Sequence, residues 1–349
     1  MKSKRLYIRL SSLGDVVIAS CALEVNTSRH IDELYWLVLN DYASLLENHP
    51  KLNGVLTFDR KTGFLGWRAL CRSIWESEYS EIFDLHCTLR TRLMKLWFFW
   101  WSIIERKRMP LWKTISKQRF RLYGYYIFKK FWPSCFRPDS WVKRYSQFVG
   151  GSGGERPNLK HLLSSLNSHL VHDLKSQKYI CVMPSSRWAG KVWPVEYFYE
   201  LIERHFSEFT PVVLGAHSDV QSARLVEMLK ARGISCVSGV GQWNLVETAS
   251  VLAHSVGIVG VDTGLVHLAE SLGVPVISIF GPTTPSMGFG PWREQSRVLG
   301  LDLLCRPCGK DGRFCYRVFQ PYQCLRGYTP EMAVHDLDSG LISGKLSRE

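Results

Sequence analysis

The sequence predicts an α/β protein made of two doubly wound, Rossmann-like domains facing a central cleft. Three observations lead there. At 349 residues the chain is long enough for two domains of ordinary size, each with its own core. Short β-rich apolar runs alternate with helix-length segments, the pattern of a parallel sheet with crossover helices. That pattern stops at a glycine-rich break and then starts again.

In the first half the runs are LYIRL (6–10), ELYWLVL (33–39), GVLTF (54–58) and EIFDLH (81–86). A basic, aromatic insertion follows at 90–148, and then the break GGSGGERP (150–157) and a polar stretch to Lys178. A boundary is expected there, giving domains at 1–165 and 175–330 and a closing helix and tail at 331–349. In the second half YICVMP (179–184), TPVVLGA (210–216), ISCVSGV (234–240), VGIVGV (256–261) and VPVISIFGP (274–282) read as strands. Helical patterns separate them at 195–206, 219–233, 244–255 and 265–273, several ending in glycine as helix C-termini often do. In open parallel sheets ligands bind beyond the carboxyl ends of strands, so the loops after strands are the place to look.

Composition narrows the function classes. A 46% hydrophobic and 21% charged chain is ordinarily globular. The longest apolar run, LWFFWWSII (96–104), falls short of the roughly 20 residues of a spanning helix. Arg9 and Asp15 interrupt any signal-peptide core, so the expectation is a cytoplasmic protein. The net charge of +13 is concentrated: residues 90–148 hold 15 Lys or Arg against two acids, together with 17 of the 44 aromatics. Basic residues interleaved with rings suit an anionic surface, a nucleic acid or a membrane headgroup layer, and the aromatic content favours the membrane. The plainer alternative is a pair of surface helices whose aromatics are core. Arg90, Arg92, Arg119 and Arg121 are the candidate contacts to an anionic acceptor or membrane.

Four loops can carry chemistry. In Ser11-Ser12-Leu13-Gly14-Asp15, the Ser12-x-x-Asp15 spacing is that of a capping box. Asp15 would also lie at a strand's carboxyl edge, within reach of a substrate hydroxyl as a general base. The loop 183–194 offers the hydroxyls of Ser185 and Ser186 and the cations Arg187 and Lys191 ahead of a helix start at Pro194, a phosphate-binding combination or a solvated loop. In the third loop a strand breaks at Asp262-Thr263-Gly264 and a helix begins at once. Asp262 or Thr263 would cap that helix, and Gly264 would let a diphosphate approach its amides. His267, on the first turn, is a phosphate donor or a buried histidine. The loop Phe280-Gly281-Pro282-Thr283-Thr284-Pro285 follows the next strand. With no GxxxxGK[ST] and no GxGxxG after the first strand, hydride transfer and ATP-phosphoryl chemistry find no support.

Four of the ten cysteines cluster as C-x2-C-x6-C-x8-C: Cys305, Cys308, Cys315 and Cys324. Four thiolates on a short loop can hold a structural zinc, and the opening C-x2-C has the expected spacing. The alternative is a disulfide-linked or simply packed knuckle.

Taken together, RLSSLGDVV (9–17), FDLHCTLRTRL (83–93), SSRWAGKVWP (185–194), VDTGLVHLAESLGVPVISIFGPT (261–283) and the CRPC…C…C knuckle with TPE (329–331) resemble the heptosyltransferases of glycosyltransferase family 9. Those enzymes add heptose from ADP-heptose to the lipopolysaccharide inner core. The likeness runs in order to about residue 337. It implies a GT-B fold with an N-terminal acceptor domain and a C-terminal nucleotide-sugar domain, and an inverting transfer that requires no metal or other cofactor. It assigns Asp15 as general base with Ser12 and Gly14 beside it. Ser185, Ser186, Arg187 and Lys191 fall on the diphosphate loop, and Asp262, Thr263, Gly264 and His267 on the second nucleotide-sugar loop. The implied partners are ADP-heptose, an anionic lipid-linked saccharide and the inner face of the inner membrane, with no nucleic acid. The chain departs from the family after Gly215, where Ala216-His217-Ser218-Asp219 stands in place of an acid that often meets the ribose. The rival readings are a family relative using another nucleotide sugar, a GT-B epimerase, and a membrane- or nucleic-acid-binding module with a decayed sugar site.

Overall fold

The computed structural model describes residues 3–26, 31–128, 133–165, 174, 177–309 and 312–339. Lys129, Lys130 and Trp132 of the basic segment, most of the polar stretch before Lys178 and the expected tail at 340–349 lie outside them. The chain divides into two compact units, Met1–Gln118 with Trp141–Leu162, and Arg119–Ser140 with Leu163–Glu349.

The first unit is built on a parallel sheet of β1 (Lys4–Ile8), β2 (Glu33–Leu39), β3 (Gly54–Phe58), β4 (Glu81–Asp84) and β5 (Leu111–Thr114). Its spatial order is β3-β2-β1-β4-β5, so the strand order reverses between β1 and β4. The central strands read as nearly continuous apolar runs because both faces are covered. On one face Leu6, Ile8, Leu37 and Leu39 pack under Trp67 and Trp75 of α2 (Gly63–Glu76) and Phe98 of α3 (Leu89–Ile104). The alternate residues point the other way. There Tyr7 meets Phe83 edge-on at 5.7 Å, and Phe83 meets Phe148 at 5.6 Å. Phe148 belongs to a helix (Trp141–Phe148) that packs with α1 (Leu13–Ala19). Arg5 and Glu81, opposite each other in the β1–β4 register, form a buried two-pronged pair at 2.7 and 2.5 Å.

The basic segment of the sequence does not stay together. Its first part forms α3 and β5, a strand the periodicity did not predict. Residues 119–140, with α4 (Arg119–Phe128) and the single turn α5 (Pro133–Phe136), group with the second unit, and α6 (Trp141–Phe148) returns to the first. The gap between β2 and β3 holds a 3-10 turn, Asn40–Leu45, in place of a crossover helix.

The second unit carries β6 (Tyr179–Met183), β7 (Thr210–Val213), β8 (Val237–Ser238), β9 (Ile258–Val261), β10 (Val276–Ile279) and β11 (Arg297–Leu299). All pairs are parallel, in the order β11-β10-β9-β6-β7-β8, and the reversal falls between β6 and β9. The expected run at 234–240 contributes two residues only, and β11 was not expected. The crossover helices α7 (Val195–His205), α8 (Val220–Ala231), α9 (Leu245–His254) and α10 (Gly264–Leu272) match their sequence patterns to within two residues. Gly273 ends α10 in the left-handed region at φ 94°, where a side chain would be strained. The chain closes through α11 (Gln323–Arg326) and α12 (Pro330–Asp338), the latter packed on α7. Buried Trp193 donates its indole N–H to the Tyr328 carbonyl at 2.8 Å and locks this closing segment to the core.

Candidate active site

In each unit the sequence-predicted loops collect where the strand order reverses, the position at which open parallel sheets bind ligands. A charged side chain bridges that point in both.

In the first unit, the chain leaves β1 through Arg9 and enters α1 through Ser12, Gly14 and Asp15. The Asp15 carboxylate accepts hydrogen bonds from the Ser12 N–H at 3.1 Å and the Ser12 hydroxyl at 2.8 Å. Its other oxygen meets the Arg9 guanidinium at 2.6 Å, and its side chain keeps 26% exposure. Burial pushes the Asp15 pKa up, but the Arg9 charge and the Ser12 donors outweigh it and hold the group below the usual carboxylate range. Arg9 also donates to the Leu85 carbonyl at 2.9 Å, tying the loop after β1 to the loop after β4. That second loop is shaped by buried Asp84, which accepts from the backbone N–H groups of His86 (2.9 Å) and Cys87 (2.7 Å). Burial, with Arg9 and Lys117 nearby, pushes His86 down to about 3, so its imidazole is neutral. The site thus offers an ionised, partly exposed carboxylate beside a neutral imidazole.

In the second unit, the Lys191 ammonium crosses from the loop after β6 to Asp262, directly after β9, at 2.6 Å. Thr283, in the loop after β10, donates to the same Asp262 oxygen at 2.9 Å. Both members of the ion pair are nearly buried, at 13% and 10% side-chain exposure. Ser185 donates to Asp219, which also caps α8 by accepting from the Ser222 N–H and hydroxyl at 3.2 and 2.8 Å. Ser186 accepts from the Trp188 N–H at 3.5 Å, and Arg187 is exposed with its guanidinium 5.4 Å from the Trp188 ring. Gly190 passes so close to Gly312 that an added Cβ would stand 1.8 Å from its carbonyl oxygen, so the phosphate-type loop admits no side chain there. Thr263 is the N-cap of α10 and Gly264 its first residue, which puts the helix's first amides beside the Lys191–Asp262 pair. An ammonium, hydroxyls and helix-start amides on one edge favour a diphosphate.

The predicted residues are not all alike in this arrangement. His267 is buried at 4% exposure and stacks on Trp292 at 5.8 Å and 15°, in agreement with the buried-histidine alternative. The Asp262 carboxylate is already shared by Lys191 and Thr283. Of the four arginines, Arg90, Arg92 and Arg119 are exposed, and the Arg90 guanidinium lies 5.4 Å from the Phe58 ring. Arg121 is held by Asp139 at 3.0 Å and the Arg137 carbonyl at 3.0 Å.

Three residues went unassigned in the sequence. Arg9 read only as a charge that interrupts a signal-peptide core, and Asp84 only as the acid inside EIFDLH. Glu270 gave no signal, yet its buried carboxylate accepts from the Trp292 N–H (3.0 Å), the Arg293 N–H (3.1 Å) and the Ser296 hydroxyl (2.7 Å). It anchors the segment that carries the ring against His267. Glu270→Ala leaves those donors without an acceptor and is expected to lower stability by roughly 2–4 kcal/mol in urea unfolding.

The cysteine expectation is corrected. Cys305, Cys308, Cys315 and Cys324 line one small cavity of about 10 Å³. Among the described residues, however, no group of three or more His, Cys, Asp or Glu stands where it could hold a metal ion, so the zinc is not supported. The reason is visible in the partners. The Cys308 thiol faces the Pro282 carbonyl at 3.8 Å, and the Cys315 sulfur accepts from the Tyr322 N–H at 3.2 Å. Burial, with the neighbouring Cys305, Cys308 and Cys315, pushes the Cys324 thiol up to about 11.

With this geometry in hand, comparison with known proteins is specific. Residues 150–315 match the family model of glycosyltransferase family 9 (heptosyltransferase). The chain is 36% identical over 317 residues to lipopolysaccharide heptosyltransferase 1 of Pseudomonas aeruginosa, covering 87% of this chain and 86% of that relative. The Escherichia coli ADP-heptose lps heptosyltransferase II superposes with a TM-score of 0.69 at 18% identity, covering 97% of this chain and 98% of that one. Escherichia coli heptosyltransferase WaaC with ADP gives 0.66 at 19% identity, covering 96% and 99%. These two likenesses show the fold, of GT-B type with two Rossmann-like domains, and the identity to the Pseudomonas relative shows the family. The chain belongs to glycosyltransferase family 9, the heptosyltransferases.

Proposed function

We propose that this enzyme transfers heptose from ADP-heptose to the lipopolysaccharide inner core, on a lipid A–Kdo or heptosyl acceptor, with inversion at the anomeric carbon. One observation carries the reading. The Asp15 carboxylate paired with Arg9, and the Lys191–Asp262 pair beside the start of α10, occupy the strand-reversal points of the two sheets in a chain 36% identical to a lipopolysaccharide heptosyltransferase 1. Asp15 takes the proton from the acceptor hydroxyl as its oxygen bonds to the anomeric carbon. The bond from that carbon to the diphosphate oxygen breaks, and the charge that develops there is met by Lys191, the Ser185 and Ser186 hydroxyls and the amides from Thr263 onward. A positioned base contributes about 10²–10⁴-fold and preorganised donors to developing charge often more.

The acceptor is lipid-linked and anionic, and the enzyme works as a peripheral protein at the inner face of the inner membrane. The basic, aromatic segment supports this, and no described helix is long and apolar enough to cross a membrane. A second reading, transfer from another nucleotide sugar, is favoured by Asp219, whose carboxylate is taken up by Ser185 and Ser222 rather than directed to a ribose. Thermal unfolding with ADP-heptose, ADP, UDP and GDP separates the two. Protection by ADP-heptose and ADP alone is the expected result; protection by UDP or GDP alone would replace the donor assignment.

A further inference from the structure

Helix α3 is apolar on two sides, and among the described residues only one of them is packed into a core. Thr91, Met94 and Phe98 turn into the core. Leu89, Leu96, Phe99, Trp100, Ile103 and Ile104 turn outward and are 49% to 73% exposed. Residues 96, 99, 100 and 103 follow the i, i+3, i+4, i+7 spacing, so they form one stripe along the helix. The stripe extends onto the start of α2, where Phe64 and Leu65 are 60% and 77% exposed and the Phe64 ring meets Trp97 of α3 edge-on at 5.5 Å. A contiguous apolar face of this kind, rather than single exposed side chains, marks an interaction surface.

The charges around the stripe say what covers it. Arg92, Lys95, Arg106 and Arg108 are exposed, and among the described residues none of them is ion-paired. The acid that ends α3, Glu105, points inward to Arg72 and to the Trp75 indole at 2.9 Å. Beside the helix, where the strands begin, lies a cavity of about 890 Å³. Trp75, Phe98 and Trp112 form its apolar wall, and Lys95, Lys107 and Arg108 line it with positive charge. Its two acids are already engaged, Glu81 by Arg5 and Glu78 by Lys107 at 3.3 Å. A second copy of the chain is a poor occupant, because a two-fold contact would set this cationic rim against itself. Nucleic acid is also disfavoured, since four of the six outward-facing apolar residues of α3 are aliphatic and have no face on which a base can stack.

We propose that the outer face of α3, with the start of α2, is a docking surface for an anionic phospholipid bilayer. The apolar stripe enters the interfacial layer, and the basic-lined pocket beside it receives a lipid phosphate headgroup. The inference deepens the reading of a lipid-linked acceptor and rests on it for its biological sense, although its evidence is separate from the nucleotide-sugar site.

The test is co-sedimentation of the full chain with vesicles of phosphatidylglycerol and phosphatidylethanolamine, with neutral phosphatidylcholine vesicles as control. Wild type is expected to bind the anionic vesicles only. The Phe99→Ser/Trp100→Ser/Ile103→Ser variant should weaken binding at least about tenfold, and Lys95→Gln/Lys107→Gln/Arg108→Gln roughly 10²-fold. All these positions belong to the first unit and the donor loops to the second, so protection by ADP-heptose should be unchanged in both variants, which also verifies that they fold. Equal binding of wild type and the serine variant would overturn the proposal. So would a wild-type dimer that the serine variant converts to monomer with no change in vesicle binding. Loss of vesicle binding in the variants, in a protein that ADP-heptose never protects, would sustain this surface and overturn the donor assignment instead.

Discussion

Asp15→Asn is expected to lower the rate of heptosyl transfer by at least about 10²-fold while leaving nucleotide protection intact. Asn keeps the shape of the side chain and can still accept from Ser12, so folding of α1 should survive. What it loses is the ability to take a proton. The pH dependence gives a finer test of the same group. Burial raises the Asp15 pKa, but Arg9 and Ser12 together lower it by more, so the carboxylate stays ionised below the ordinary aspartate value. The acid limb of kcat/KM should therefore lie below the ordinary aspartate value of about 3.9. Because the native pKa is depressed, the associated stabilisation is present above the unfolded value and disappears as pH falls through the native one. Arg9→Met removes the main opposing charge and should move the acid limb upward, whereas Arg9→Lys should largely restore it. An acid limb that stays in place in Arg9→Met would remove Arg9 from any role in setting the base.

Lys191→Met is the second large effect. It removes the ammonium that crosses the reversal point between β6 and β9, and the expected loss in kcat is about 10²–10³-fold, the size seen when a preorganised donor to developing charge is deleted. ADP should protect the variant less than wild type, whereas adenosine, which carries no phosphate, should behave alike in both. Asp262→Asn should change the rate in the same direction by less, because Thr283 still holds the side chain and the lysine remains. A Lys191→Met enzyme with wild-type kcat would place the leaving-group charge elsewhere.

Much of this was legible in the sequence, for identifiable reasons. Parallel strands buried on both faces are written as unbroken apolar runs, so β1, β2, β6, β9 and β10 could be read directly. Helices α7 to α10 announced themselves by periodicity, and α8 and α10 also by the glycines that follow them, Gly233 and Gly273. Edge strands carry a weaker signal: β5 is mostly exposed and β11 is three residues long, and neither stood out. The loops at the reversal points were found because small residues and charges follow a buried strand there. Their internal pairings were not, since nothing in one dimension says that Lys191 reaches Asp262 or that Arg9 reaches Asp15. Sequence spacing also overstated the cysteines. C-x2-C has metal-ligand spacing, but among the described residues these side chains form no group placed to hold a metal ion, Cys308 facing the Pro282 carbonyl and Cys315 the Tyr322 N–H. The basic segment looked like one insertion because composition is blind to which unit a helix joins.

The central claim is that the carboxylate of the first unit and the lysine site of the second serve one reaction, heptose transfer to the inner core. Product formation from ADP-heptose on a panel of truncated lipopolysaccharide acceptors, wild type beside Asp15→Asn, tests it most directly. A heptosylated product from wild type, reduced at least about 10²-fold in the variant, is the predicted result. A wild-type protein that transfers heptose to none of the acceptors and is not protected from unfolding by ADP-heptose, or an Asp15→Asn variant that transfers as fast as wild type, would contradict it.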